Sequence, residues 1–313
     1  MHRNRPHITQ RSAVGGGGIS TRERQRDEDA SHQSVGRPHI SHSLKYAICN
    51  MSLEDWPFDR ALAFARECGY TGFEIAPYTL APQMKEISAS KRAEVRRQTE
   101  QASLEVVGLH QVLSRTEGFQ LTTRDAEVRQ KTAAYLGELA QLCRDLGGSM
   151  LVLGSPQQRN RQPGVTTYEA MRNAAQVIHS AMPSLERHNI IVALEPLGPS
   201  ETNFLTTTAE GVELMQMINS PHCRLVLDCK GMAGAGESVP DTLRKYHAQM
   251  VHFHANDPNR QGPGFGDLDF IPIMAALREI DWQGWVSVEA FDYSADIESA
   301  VRASIQNLKL AAN

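Results

Sequence analysis

From Leu44 onward, short apolar runs alternate with longer stretches in which apolar residues recur every three or four positions. The short runs fall at Lys45–Cys49, 72–76, 105–110, 149–153, 190–195, 224–228, 250–254 and 285–289. Runs of this length predict buried β-strands. The stretches between them predict helices. Residues 54–68 place Phe58, Leu62 and Ala65 on one face, 125–146 place Val128, Leu136, Leu139 and Leu142, and 207–219 place Val212, Met215 and Ile218. Thr207 or Thr208 fits an N-cap. Gly69 and Gly147 stand where a helix stops before the next strand. Strands that alternate with helices pair in parallel. Eight such units over residues 44–313 predict a closed (β/α)8 barrel, the TIM-barrel architecture. An open doubly wound sheet is the alternative, but no glycine-rich nucleotide fingerprint follows the first run.

Residues 1–43 carry neither period. They hold seven Arg, four acids, five His, no aromatic residue and the run Gly15-Gly16-Gly17-Gly18. Such a segment is expected to be a disordered tail that forms no core. It lacks the apolar stretch of a signal peptide. Its net charge is +3, whereas the 25 basic and 32 acidic residues beyond it give −7. The barrel is therefore acidic, with no field that draws nucleic acid. The longest apolar runs have five residues, such as 190–194, so no membrane span is expected. Five cysteines without a CxxC pair predict reduced thiols in a cytoplasm.

Active groups of such a barrel sit at the C-terminal ends of its strands. Four successive strands end in an ionisable residue: Glu195, Asp228, His254 and Glu289. Three carboxylates and one imidazole at one rim repel one another unless a cation neutralises them. One divalent cation is expected there. Oxygen-rich ligands favour Mn²⁺ or Mg²⁺, with Co²⁺ and Zn²⁺ compatible. His252 shares the face of His254 one layer deeper, where it packs or supports a ligand. Glu74 and His110 end the second and third strands, to touch substrate or to orient a ligand. Trp56 is either core or a wall of a sugar pocket.

Residues 44–300 resemble the xylose-isomerase-like sugar isomerase/epimerase superfamily, and within it the ketose 3-epimerases. The stretches that carry the resemblance are Leu194-Glu195-Pro196-Leu197 with Glu201-Thr202-Asn203, His252-Phe253-His254 with Asn259-Arg260, GPGFGDLD at 262–269, and Val288-Glu289-Ala290-Phe291. The resemblance implies a divalent cation on Glu195, Asp228, His254 and Glu289, and substrate contacts from Glu201 and Arg260. Homodimers or homotetramers are common among similar barrels, although no interface stripe stands out in this sequence. One departure is plain. Those epimerases carry a histidine three residues after the strand-six aspartate, where this chain has Gly231, with Lys230 beside it.

A divalent cation can chelate adjacent sugar oxygens and polarise a carbonyl. Two carboxylates can then move a proton through an enediolate, and Glu195 and Glu289 are the expected acid/base pair. Proton return to the opposite face gives epimerisation, and return to the neighbouring carbon gives isomerisation. Loss of a leaving group gives a lyase or hydratase on a keto-sugar, keto-inositol or 3-keto-glycoside. The expected substrate is a free carbohydrate or a close derivative. The loop at 262–266 could instead offer N–H groups to a phosphate. DNA-repair endonucleases share the superfamily, but the acidic barrel argues against nucleic acid.

Overall fold

The computed structural model describes residues 44–292 and 296–313. The tail expected at 1–43 lies outside the described residues. Eight parallel strands close in sequence order: β1 (Lys45–Cys49), β2 (Gly72–Ile75), β3 (Glu105–Leu109), β4 (Met150–Leu153), β5 (Ile191–Leu194), β6 (Cys223–Asp228), β7 (Met250–Ala255) and β8 (Trp285–Val288). Helices follow the strands: α1 (Phe58–Cys68), α2 (Ala89–Gln101), α3 (Ala126–Leu146), α4 (Thr167–His188), α5 (Thr208–Ile218), α6 (Cys229–Gly234), α7 (Val239–Tyr246), α8 (Phe270–Glu279) and α9 (Ile297–Ala311). The predicted barrel is the observed one.

The boundaries move for local reasons. The first helix starts at Phe58, not Glu54, because Asn50–Leu53 form a separate 3-10 turn and Pro57 stands before the helix in an extended conformation. Thr207 caps α5 by accepting from the Glu210 N–H. Gly69 and Gly147 end α1 and α3 with φ of 98° and 95°, a left-handed conformation that glycine adopts without strain. β5 and β8 stop one residue before Glu195 and Glu289. Both residues still donate their N–H to the neighbouring strand, Glu195 to the Leu153 carbonyl and Glu289 to the Ala255 carbonyl, so each carboxylate is held at the barrel mouth.

Two apolar layers hold the fold. One lies between the strands and the surrounding helices and includes Ile48, Phe73, Leu109, Leu153, Leu194, Leu227, Phe253 and Val288. The other fills the barrel itself with Ala47, Val107, Met150, Val152, Ala193, Val226 and Trp285. The strand period of two separates the layers, since neighbouring residues face opposite sides. Above the inner layer the same inward positions turn polar, and the site begins. No helix among the described residues is long and apolar enough to cross a membrane.

Candidate metal and sugar site

Glu195, Asp228, His254 and Glu289 come together as expected. Each offers a ligand atom within 4.8 Å of the others, and all four are buried. The register of β6 and β7 pairs Asp228 with His254 across the sheet. His254 Nδ1 lies 2.6 Å from Glu195 Oε1 and 3.4 Å from Glu289 Oε2. Gly154, at the end of β4, makes room for this cluster: a Cβ there would stand 1.7 Å from Glu195 Oε2. Asp228 is fixed on both oxygens. Oδ1 accepts from the Gly231 N–H and Oδ2 from Asn256 Nδ2, each at 2.6 Å.

The electrostatics fit a cation. Burial pushes Asp228 up to about 7, and the Glu195 and Glu289 charges add to the push against the pull of Lys230. Burial acts to discharge His254, yet Glu289, Glu74 and Glu195 outweigh it and hold its proton well above the ordinary imidazole range. Burial also acts to raise Glu289, but His254 and His110 hold it well below the usual carboxylate range. With protein groups alone, protons must screen this crowd of carboxylates. A divalent ion screens it better, and three carboxylates with one imidazole are a donor set for such an ion.

Glu74 and His110 are brought to the cluster but not to the space above it. Glu74 is fully buried and accepts from His252 Nε2 at 2.8 Å, with His254 Nε2 at 3.4 Å. Burial works to raise its pKa, and the two histidines outweigh it and keep Glu74 charged. His110 is equally buried, 3.7 Å from Glu289 and 3.4 Å from Asn50 Oδ1. Neither lines the cavity, and each lies against a residue of the cluster. His252 lies in the deeper layer, on Glu74. Trp56 packs on Phe64 at 5.3 Å with Arg60 over its ring, away from the cavity.

A cavity of about 370 Å³ opens above the cluster, and Glu195, Glu201, Lys230, Arg260, Glu289 and Phe291 line it. Lys230 is a buried wall residue, not the solvent-facing lysine common at surfaces. Its Nζ stands 2.5 Å from Glu201 Oε1, and its backbone N–H donates to Asn256 Oδ1. Burial works to lower its pKa, but Asp228 and Glu201 raise it above the ordinary lysine value. Arg260 and Lys230 both lie over the Phe291 ring, at 4.9 and 5.2 Å. Arg260 has a φ of 72°, which is uncommon for a residue with a side chain, and its carbonyl accepts from the Phe291 and Asp292 N–H groups.

Sequence reasoning did not find two supporting residues. Asn256 continues the face of His252 and His254 by the strand period, a signal that was available. Arg159 gave no signal, because it sits in a polar loop. It is fully buried, donates to the Glu195 carbonyl at 2.8 Å and leaves Nη2 without a partner. Burial lowers its pKa to about 10, against the opposing charges of Glu195 and Glu201.

A family model described as xylose isomerase-like TIM barrel matches residues 62–311. The chain belongs to that family. Among its relatives, a probable ketose 3-epimerase of Synechocystis sp. is 27% identical over 186 residues, 56% of this chain and 62% of that protein. The match thus spans about six tenths of that relative's length. A 3-dehydro-D-guloside 4-epimerase of Escherichia coli is 22% identical over 254 residues, 79% of this chain and 92% of that protein. In three dimensions the chain is similar to a D-psicose 3-epimerase crystallised in the presence of D-fructose, with a TM-score of 0.76 at 19% identity over 86% of this chain and 99% of that one. At that identity the likeness speaks for the fold.

Gly231 takes on meaning within the family. A Cβ at Gly231 would lie 2.6 Å from the Pro196 carbonyl oxygen. The backbone packs too closely for an imidazole at this position. Lys230, one residue earlier, reaches the cavity instead.

Proposed function

We propose that this protein is a divalent-metal-dependent sugar isomerase or epimerase that acts on a free keto-sugar or a close derivative. One observation carries the reading. Within the cluster of four ligands, Glu195 and Glu289 also line the cavity. Two carboxylates therefore border the space where substrate would sit, and both are held by His254 between them. One takes a proton from the carbon next to the carbonyl and the other returns it. Glu195, Asp228, His254 and Glu289 would hold the ion, Mn²⁺ best by donor type. When bound, it polarises the carbonyl and acidifies the neighbouring C–H. Glu201, Lys230 and Arg260 orient the sugar hydroxyls, with Phe291 as the apolar floor under both cations. Glu74, His110 and Asn256 position the ligands from behind.

Phosphate is a poor fit. Asp257 already accepts from the Gly264 and Leu268 N–H groups, at 3.2 Å each. A buried carboxylate therefore occupies the loop that could have cradled an anion. The names of the ketose 3-epimerase and 3-dehydro-D-guloside 4-epimerase relatives support a carbohydrate. The five cysteines are free thiols, which supports a reducing, cytoplasmic compartment.

Lys230 gives a second reading some footing. A buried ammonium beside the proton-transfer pair could assist a leaving oxygen, and the same site would then be a lyase or hydratase on a keto-sugar, keto-inositol or 3-keto-glycoside. Turnover in D₂O with Mn²⁺ separates the two, read by NMR and mass spectrometry across ketoses, aldoses and 3-keto-glycosides. Deuterium on a carbon next to the carbonyl, with the mass otherwise unchanged, establishes the isomerase or epimerase. Loss of water or of an aglycone establishes the lyase. No exchange and no loss on any sugar would remove both.

A further inference from the structure

Beneath the acid cluster lies a second group of donors, joined to it through Glu289. Cys49 Sγ, His110 Nδ1 or Nε2 and a Glu289 oxygen lie within 4.8 Å of one another, and all three residues are buried. They come from three strand ends. Cys49 is the last residue of β1, and His110 and Glu289 directly follow β3 and β8. The two oxygens of Glu289 face different imidazoles. Oε2 is 3.4 Å from His254 Nδ1, in the acid cluster, and Oε1 is 3.7 Å from His110 Nδ1, below it. Glu289 therefore stands between two donor groups, with one oxygen for each.

The His110 ring is held as a metal-binding imidazole is held, with its far nitrogen on an oxygen. Asn50 supplies that oxygen. Its Nδ2 donates to the Thr79 hydroxyl at 2.7 Å, and its Oδ1 accepts from the Ala76 N–H at 2.8 Å. Both partners set the amide the same way round, so Oδ1 can only accept. His110 Nε2, 3.4 Å from Oδ1, is then the nitrogen that carries the hydrogen. Nδ1 keeps its lone pair. It is buried, has no hydrogen-bond partner among the described residues, and faces a carboxylate oxygen that offers no hydrogen. The Cys49 hydrogen is used elsewhere, since the thiol donates to Glu74 Oε1 at 3.6 Å. Lone pairs of sulfur, nitrogen and oxygen thus converge with no hydrogen between them. A buried polar atom left in this state calls for a partner, and one cation satisfies all three.

The geometry points to a second metal site, formed by Cys49, His110 and Glu289, that takes a thiophilic divalent ion such as Zn²⁺. Zinc bonds of about 2.1 Å to nitrogen and oxygen span up to about 4.2 Å, so an ion fits between His110 Nδ1 and Glu289 Oε1 where they stand. The sulfur closes onto it by moving about an ångström at most. On binding, the thiol releases its proton to solvent and coordinates as thiolate. Glu74 Oε1 is within reach as a fourth ligand. The donor sets divide the ions: three carboxylates above favour Mn²⁺, and a thiolate with an imidazole below favours Zn²⁺ or Co²⁺. Glu289 lines the cavity, which gives the ion its way in. A carboxylate can serve two ions that lie about 4 Å apart. The lower site stands on these donors and does not need the sugar chemistry proposed above.

The test titrates the full chain, stripped of metal, with Co²⁺ and separately with Mn²⁺, read by calorimetry and absorption. Co²⁺ should bind in two equivalents, one of which brings up a sulfur-to-cobalt charge-transfer band in the near ultraviolet. Mn²⁺ should stop at one. Cys49→Ser should abolish the band and one cobalt equivalent, and His110→Gln should do the same. The equivalent that each variant retains shows that it folds. Cys229→Ser, which changes the thiol beside Asp228, should keep the band. Two cobalt equivalents without a band, a band that survives Cys49→Ser, or loss of both equivalents in both variants overturns the lower site. Deuterium exchange on the sugars is read in parallel. One cobalt equivalent without a band, with exchange intact, removes the lower site and keeps the proposed function. A band lost in Cys49→Ser, with no exchange on any sugar, does the reverse.

Discussion

The two halves of the barrel mouth use the same residue types for different ends. β5 to β8 deliver Glu195, Asp228, His254 and Glu289 to one cluster. β1 to β3 end in Asn50, Glu74 and His110, which are equally polar and equally buried. Glu74 and Glu195 show the contrast best. Both are glutamates at strand ends, and both touch His254. Glu195 also borders the cavity, whereas Glu74 is enclosed beneath it by His252 and His254. A polar strand end is thus not by itself an active group. On the proposed function, the role follows from which side of the cluster the carboxylate lies on, because only the upper side borders the cavity. The lower side would fix tautomer and orientation.

Four experiments can break or sharpen this contrast, in falling order of effect. Glu195→Gln and Glu289→Gln keep the shape and remove the base, and each should lower proton exchange by about a thousandfold or more. Substantial exchange in either variant would sink the assignment. Asp228→Asn should weaken Mn²⁺ binding by roughly a hundredfold, since a charged ligand is lost. Calorimetry reads this directly, and an unchanged affinity would take Asp228 out of the ligand set. Glu74→Gln, on the lower side, should weaken Mn²⁺ by about tenfold and reduce kcat with little change in KM. A change in KM alone would put Glu74 against substrate and erase the distinction between the halves.

The fourth experiment is the pH dependence of metal binding. Asp228, pushed up to about 7, holds a proton below that pH. The ion must displace this proton together with the one His254 holds, so Mn²⁺ affinity should rise by more than tenfold per pH unit up to about 7 and less steeply above it. The His254 proton, retained to higher pH by Glu289, Glu74 and Glu195, keeps some slope beyond that point. A profile no steeper below about pH 7 than above it would show that Asp228 is not part of the proton-bearing cluster.

The four residues of the acid cluster were legible because two periodicities coincide. Eight apolar runs mark the strands, and an ionisable residue closes each of the last four. Lys230 was harder to place. It follows Asp228 by two, which suggests the inner face of a continuing strand, but the chain turns into α6 at Cys229. Only that turn sends the ammonium to Glu201. Arg159 was hidden for a related reason. Loop composition predicts exposure, yet Asn160 accepts from the Thr202 hydroxyl and the Asn203 N–H, and this ties the loop down and buries its neighbour.

The sequence by itself determined the barrel, its order of strands and the four residues of the acid cluster. These depend on period and chain order, which are local and one-dimensional. Tertiary structure decided which polar groups border the cavity and which lie beneath it, and that no side chain fits at Gly231. Each of these depends on how closely separate loops approach one another. Distances of that kind are set by packing across the barrel mouth, which no run of neighbouring residues encodes.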